Sequence, residues 1–275
     1  MELTFLNWLL AASPVIVVLV LMLAFNWGGS RAGAAAWFVA VAVALLHFGA
    51  GPLLIGFAQA KSILFALDVL YIIWMALLLY HVADEAGAIT LIGKRLPGLT
   101  ADRMIQSLLL SWLFASFLQG MGGFGVPVAV VAPLLVGLGF SPIQAVVMAS
   151  LGHGWSVTFG SLGTSYVALT SITGLPSDVL APESAFLLGC VSIVSGGLVA
   201  YVGAGWKGLL RAIPVLLVLS VVLGTVQFYL ATHGLFTLGS TGASLAGLVV
   251  GIGLARLPFY QHAHPDETPE PEAEA

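Results

Sequence analysis

The chain has 275 residues, of which 60% are hydrophobic and only 7% charged, and its mean hydropathy is +1.08. Soluble globular proteins carry about 25% charged residues, so this composition excludes a soluble fold. The net charge of −4 leaves no basic surface for nucleic acid. Apolar runs near the roughly 20 residues needed to cross a bilayer predict an all-α polytopic membrane protein embedded in lipid.

Hydrophobic segments follow one another along the chain. They are predicted over residues 8–25, 34–48, 63–81, 105–119, 126–138, 142–159, 184–201, 212–230 and 240–257. The short run 126–138 and the broken sequence on either side of it favour about seven full spans with discontinuous or re-entrant pieces, so seven to nine segments are predicted. Glu2, not a basic residue, precedes the first run, which indicates a retained span and not a cleaved signal.

Basic residues predict the orientation, because cytoplasmic loops carry the excess of Lys and Arg. This rule places Arg31, the 83–102 linker (with a short surface helix), Arg211 and Arg256 on the inside. The amino terminus then lies outside the bacterial inner membrane and the carboxy terminus in the cytoplasm, which requires an odd number of crossings. Lys61 is the exception, on a predicted outer loop.

The end of the sequence differs in composition from the rest. Residues 259–275 carry five acidic side chains among prolines and are predicted to form a disordered, acidic cytoplasmic tail. Residues 1–258 form the predicted transmembrane transport domain. The single cysteine, Cys190, lies within an apolar run and is interpreted as a packing residue, without a disulfide.

Two interruptions of the apolar sequence carry the functional signal. They read FLQGMGGFGVP at residues 117–127 and GHGWSVTFGSLGTS at residues 152–165. Lipid offers the backbone no hydrogen bonds, so non-helical chain at membrane depth must lie inside protein or beside a wet cavity. Secondary transporters use backbone groups freed in this way to hold a substrate or an ion. The pattern therefore indicates a transporter.

The sequence FLQGMGGFGVPVA at residues 117–129 resembles the FLEGAAGFGxPVA signature of the bacterial L-lactate permeases, and residues 132–140 and 157–164 continue that pattern. The resemblance implies a secondary transporter of lactate or a similar small monocarboxylate such as glycolate, acting by proton symport. It covers the family's amino-terminal half, which implies one half of an inverted-repeat fold and a second chain resembling the carboxy-terminal half. One departure is Gln119, where the family has an acid.

Other functions stay open at this point. The alternatives are a non-transporting membrane subunit, or a partner-dependent half of a split permease with another carboxylate substrate. An enzyme is not predicted, because the sequence contains no catalytic triad arrangement, no His-Glu-x-x-His and no phosphate-binding loop. No cofactor and no metal site are predicted.

Candidate substrate-binding residues come from both interruptions. Glycine lets the chain approach a ligand, a new helix start attracts a carboxylate, and Ser or Thr serves a hydroxy acid as donor and acceptor. The candidates are Gln119, Gly122, Gly123, Gly125, Ser156, Thr158, Ser161, Thr164 and Ser165. The alternatives are that the glycines only permit close helix packing and that the hydroxyls bond to their own helix.

Asp68 and His153 are the candidates for proton coupling. An ionisable residue within a span is a functional hypothesis by default, and a histidine can carry a proton near neutral pH. The alternatives are an ion pair between Asp68 and Lys61, and a neutral His153 satisfied by a neighbouring helix. Trp155 is interpreted, like most of the other tryptophans, as an anchor at the membrane interface.

Overall fold

The computed structural model describes residues 4–123 and 125–261, and all regular secondary structure in these ranges is helical. The predicted all-α class is confirmed. The predicted acidic tail covers residues 259–275, and the part of it beyond residue 261 lies outside the described residues. The chain divides into two compact units, one up to residue 68 and the other from residue 69 onward. Each is described by itself.

The first unit contains α1 (Phe5–Leu23), α2 (Gly29–Leu46) and the first half of α3 (Pro52–Glu85). The Thr4 hydroxyl caps α1 by accepting a hydrogen bond from the backbone N–H of Asn7. α1 packs against α2. The buried residues of α2 are Ala32 and Ala36, and such small side chains allow two helices in lipid to approach closely.

The helix α3 is longer than the sequence indicated. It has 34 residues and begins at Pro52, whereas the predicted span covers 63–81. Proline suits the first turn of a helix, and between Pro52 and Lys61 only Gly56 has low helix propensity. The prediction that Lys61 lies on an outer loop is therefore wrong, because this residue is helical.

The second unit is built around one buried helix, α5 (Arg103–Met121), which follows the short α4 (Ala88–Arg95). The position of α4 confirms the short helix predicted in the 83–102 linker. The middle of α5, Leu108–Phe114, is a π-helix in which every residue is buried. Glycines of the surrounding helices pack against it: a Cβ atom on Gly152 would lie 1.7 Å from the Ser111 carbonyl oxygen. Side chains at such positions would separate the helices.

Three shorter helices follow: α6 (Val126–Gly137), α7 (Pro142–His153) and α8 (Thr164–Thr173). At about 1.5 Å per residue each is under about 20 Å long and cannot cross a core of roughly 30 Å alone. They are the discontinuous pieces expected from the sequence. The predicted segment 142–159 ends earlier, at His153, because a 3-10 turn begins at Gly154. α8 was not predicted as a separate segment.

The last helices are α9 (Ser177–Thr232) and α10 (Gly239–Ala255). α9 folds back on itself at Gly205, whose φ of 67° and ψ of −168° only glycine adopts readily. Its two arms touch where a Cβ on Gly189 would lie 3.2 Å from the Gly224 Cα. Among the described residues six helices are long and apolar enough to span. α9 supplies two arms, and the number of full spans and the inverted repeat stay predictions.

A cluster of polar side chains connects three segments: the start of α5, the second arm of α9 and the chain after α10. Asp102 is fully buried, accepts hydrogen bonds from the N–H groups of Met104 and Ile105, and forms an ion pair with Arg211. The Thr100 hydroxyl donates to the carbonyl of Tyr260. Burial and then the Asp102 charge raise the pKa of the Tyr260 phenol, while the Arg211 charge opposes this shift. These three segments share one side of the unit, and their cytoplasmic location stays a prediction.

Candidate functional site

The first interruption is a break between two helices. α5 ends at Met121 and α6 begins at Val126, with Gly123 (φ 52°) and Gly125 (φ 91°) in left-handed conformations between them. Glycine adopts this region without strain. No side chain caps the start of α6. Its first turn therefore presents a partial positive charge that no side-chain oxygen neutralises.

The second interruption is longer and more strained. A 3-10 turn at Gly154–Ser156 and another at Ser161–Gly163 separate α7 from α8. Ser161, Leu162 and Gly163 have φ values of 50°, 55° and 79°. Such conformations cost about 1–3 kcal/mol in a non-glycine residue and concentrate at functional sites. α8 also begins without a side-chain cap, and the N–H of Tyr166 in its first turn donates to the Thr158 carbonyl.

The two interruptions meet around Gln119. A Cβ atom on Gly123 would lie 1.8 Å from the Ser161 hydroxyl oxygen, and one on Gly160 would lie 2.9 Å from the Gln119 amide nitrogen. Gln119 is 6% exposed. Across residues 4–123 and 125–261 its carboxamide has no hydrogen-bond partner. The structure thus brings together three of the nine candidates: Gln119, Gly123 and Ser161.

Behind Gln119, one helical turn earlier, Ser116 organises the packing of the site. Its hydroxyl donates to the carbonyl of Gly152 (3.3 Å) and accepts a hydrogen bond from the Trp155 indole (2.9 Å). The Ser240 hydroxyl of α10 donates to the Ser116 carbonyl. Trp155 is fully buried, so its predicted role as an interface anchor is wrong: Ser116 supplies a partner for the indole N–H inside the protein. No sequence pattern singled out Ser116 or Ser240.

The remaining candidate residues have other surroundings. The Ser156 hydroxyl donates to the His153 carbonyl and the Thr164 hydroxyl to the Ser161 carbonyl, so both bond to nearby backbone. A Cβ on Gly122 would lie 3.4 Å from the Tyr80 Cβ.

Three further candidates are less enclosed. Thr158 is half-buried and its carbonyl accepts a hydrogen bond from the N–H of Tyr166. Gly125 has open space where a Cβ would stand, and Ser165 is exposed. The substrate-binding roles of all nine residues stay predictions.

The two coupling candidates have different surroundings. The His153 ring contacts the Ala149 carbonyl through Nδ1 at 2.6 Å, so the residue is satisfied by its own helix and not by a neighbouring one. Asp68 is exposed on α3. The alternative of an Asp68–Lys61 ion pair is not realised in the part of the chain that the structure describes. Neither observation tests proton coupling.

The site contains no formal charge of its own. Residues 117–127 and 154–165 include no Asp, Glu, Lys or Arg. No group of three His, Cys, Asp or Glu side chains suited to a metal ion occurs within the described ranges. The start of α6, which has no side-chain cap, is the feature of the first break that would favour an anion.

Comparison with known families matches residues 7–269 to the family described as L-lactate permease. The chain is 31% identical to the L-lactate permease of Halalkalibacterium halodurans over 87% of this chain and 45% of that protein. It is 28% identical to the glycolate permease GlcA of Escherichia coli (83% and 41%) and 29% identical to the L-lactate permease of Bacillus subtilis (81% and 40%). It thus spans less than half the length of these relatives. No solved structure matches it.

Proposed function

The chain belongs to the L-lactate permease family, and from that premise we propose that it serves a secondary transporter of lactate, glycolate or a similar small monocarboxylate. The observation that carries the proposal is the contact between the two broken segments around the buried carboxamide of Gln119, which has no hydrogen-bond partner among the described residues. The relatives named as lactate and glycolate permeases support the substrate class. They are permeases, so no enzymatic activity is proposed.

The chemistry of the site suits a carboxylate. Backbone N–H groups at the start of α6 would donate to the anion, and the Gln119 amide would add a donor. Because the site lacks formal charge, binding needs no displacement of an existing counter-ion. The Ser161 hydroxyl, against Gly123, would offer a further donor or acceptor to a hydroxy acid.

We propose proton symport as the coupling mode, with Asp68 and His153 as candidate carriers. Gln119 cannot carry a proton at physiological pH, so the coupling group must lie elsewhere in the transporter. The proposed location is the bacterial inner membrane, with the amino terminus outside and the carboxy terminus in the cytoplasm. The clustering of Asp102, Arg211 and Tyr260 on one side of the unit supports this assignment.

We also propose a second chain that resembles the carboxy-terminal half of the permease. The support for this proposal is that a site between inverted halves requires residues from both halves. The alternative function is a non-transporting subunit, or a partner-dependent half with another carboxylate substrate. Uptake measurements distinguish these possibilities.

The test is uptake of labelled L-lactate by proteoliposomes, with the chain reconstituted alone and with proteins that co-purify. Competition by unlabelled glycolate checks the substrate class. Gln119→Met should lower uptake by about tenfold or more, the effect of one lost hydrogen bond to a charged group. Gln59→Met is the matched control, because Gln59 bonds only to Trp37 on an exposed surface. Correctly inserted protein that takes up neither acid in either preparation would refute the proposal.

A further inference from the structure

A second group of buried polar side chains lies between α9 and α10, away from the two interruptions. Gln227 and Ser244 are both fully buried. Within the described residues, neither amide atom of Gln227 has a hydrogen-bond partner, and the same holds for the hydroxyls of Ser244 and Thr241. Buried polar groups without partners are rare in proteins, and a role in binding is one explanation for them.

The packing of α9 against α10 places Gln227 and Ser244 at the same height along the two helices. A Cβ on Gly247 would lie 2.7 Å from the Leu223 side chain, and one on Gly242 would lie 2.5 Å from the Leu230 side chain. The helices therefore run antiparallel here, and Gln227, midway between Leu223 and Leu230, is level with residues 243–244. Gln227 shares the buried face of α9 with Leu223.

Thr241 connects this group of polar side chains to the site around Gln119. A Cβ on Gly120, next to Gln119, would lie 2.3 Å from the Thr241 hydroxyl oxygen. Thr241 and Ser244 are three residues apart on α10 and so occupy neighbouring positions on its surface. Polar groups without hydrogen-bond partners among the described residues therefore extend from Gln119, past Thr241, to Gln227 and Ser244.

These hydroxyls differ from ordinary serines in helices. Ser192 is equally buried, but its hydroxyl donates to the carbonyl of Gly189 in the preceding turn. Ser244 and Thr241 make no such bond. A carboxamide offers an acceptor and a donor side by side. Its complement is a ligand that presents a donor and an acceptor on adjacent groups, as the hydroxyl and carboxylate of a 2-hydroxy acid do.

We propose that Gln227, Ser244 and Thr241 form a second binding position for a 2-hydroxy monocarboxylate, next to that of Gln119. The Gln227 oxygen accepts a hydrogen bond from the 2-hydroxyl while its nitrogen donates to the carboxylate, and the two hydroxyls complete the ligand's bonding. The inference rests on the proposed transport function. It makes Gln227 the residue that distinguishes hydroxy acids from acids without the hydroxyl.

The first test measures discrimination in membrane vesicles from cells that express the protein. Lactate and propionate compete with labelled lactate, and the wild-type chain should favour lactate by about tenfold or more, because a buried polar site rejects a ligand that leaves it unpaired. Gln227→Met should reduce this preference to roughly threefold or less. Ser192→Ala is the matched control and should keep the wild-type ratio. An unchanged ratio in Gln227→Met would overturn the inference.

The second test does not depend on that variant folding. Cys190 is the only cysteine in the sequence, so Cys190→Ser gives a background in which Ser244→Cys is the one thiol. A hydrophilic thiol reagent should label it, lactate should slow the labelling, and Ser192→Cys should stay unlabelled. Lactate uptake with an unreactive Ser244→Cys would remove this inference and leave the proposed transport standing. Labelling that lactate slows, in vesicles without uptake, would support the binding position and count against transport.

Discussion

Gly123 and Ser161 stand so close that a Cβ atom on the glycine would lie 1.8 Å from the serine hydroxyl oxygen. The two residues belong to different interruptions, 38 positions apart in the sequence (161 minus 123). Both have left-handed backbone conformations, with φ values of 52° and 50°. The contact therefore requires glycine at position 123 for two reasons. Glycine adopts this backbone conformation readily, and it has no side chain that would collide with Ser161.

Gly123→Ala should abolish most of the transport while leaving membrane insertion intact. The added methyl group would strain the backbone and push Ser161 away, which separates the two interruptions that form the proposed binding site. We expect lactate uptake to fall by roughly tenfold or more. Gly56→Ala is the control, because a Cβ there meets nothing within 4 Å. Equal uptake by both variants would mean that Gly123 serves no purpose in transport.

Gly205→Ala should destabilise the second unit without touching the site. The φ of 67° and ψ of −168° at Gly205 belong to a region almost restricted to glycine, so the substitution should cost about 1–3 kcal/mol. Thermal unfolding in detergent would show a lower midpoint. Gly197→Ala in the same helix is the control, since its nearest neighbour would lie 3.6 Å away, at ordinary contact distance. A wild-type midpoint for Gly205→Ala would contradict a bend fixed by this residue.

Asp102 should contribute to stability in two separable ways, as the cap of α5 and as the partner of Arg211. Removing one partner of a buried pair costs about 3–5 kcal/mol, so Asp102→Ala should lower the unfolding midpoint strongly. Asp102→Asn keeps the cap and should lose less. Glu85→Gln, at an exposed carboxylate, should change little.

The double variant Asp102→Ala, Arg211→Met isolates the ion pair. Because both charges are then absent, the double variant should be more stable than the sum of the single effects predicts. Purely additive free energies of unfolding would show that the pair contributes nothing beyond the cap.

Much of the helical pattern was predictable, because bilayer thickness fixes the length of an apolar run. The predicted span 240–257 and the observed Gly239–Ala255 differ by one or two residues at each end. Both interruptions were also predictable, since glycine clusters cannot continue a helix against lipid. The error at Lys61 arose because a single charge within a long apolar helix looks, in sequence, like a loop.

The arrangement of the site was less predictable, because it depends on partners distant in sequence. Ser116 binds Trp155 across 39 positions and Ser240 across 124. Nothing local distinguishes Ser116 from other helical serines. Conversely, the Ser156 hydroxyl looks suited to a substrate in sequence, yet it bonds to the His153 carbonyl three residues earlier. Tertiary packing decides which hydroxyl remains available.

Coupling should respond to three substitutions. Gln119→Glu introduces a group that can carry a proton and should change the pH dependence of uptake if this position touches the coupling path. Asp68→Asn or His153→Gln should abolish lactate-driven proton movement, measured with a pH-sensitive dye inside vesicles. His233→Gln is the control, because the His233 Nδ1 also contacts the carbonyl four residues earlier, at 2.8 Å. Unaltered proton flux in all three variants would refute this coupling scheme.

The proposed second chain predicts that transport requires a second polypeptide. A binding site between inverted halves needs residues of both halves. We expect a protein resembling the other half to co-purify, and lactate uptake only when both are reconstituted. Under the proposed topology a homodimer is disfavoured, because an odd number of spans with one charge bias would give both copies the same orientation. Gly123→Ala in this chain should abolish lactate uptake by the complex. A purified monomer that accumulates lactate would disprove the need for a second polypeptide.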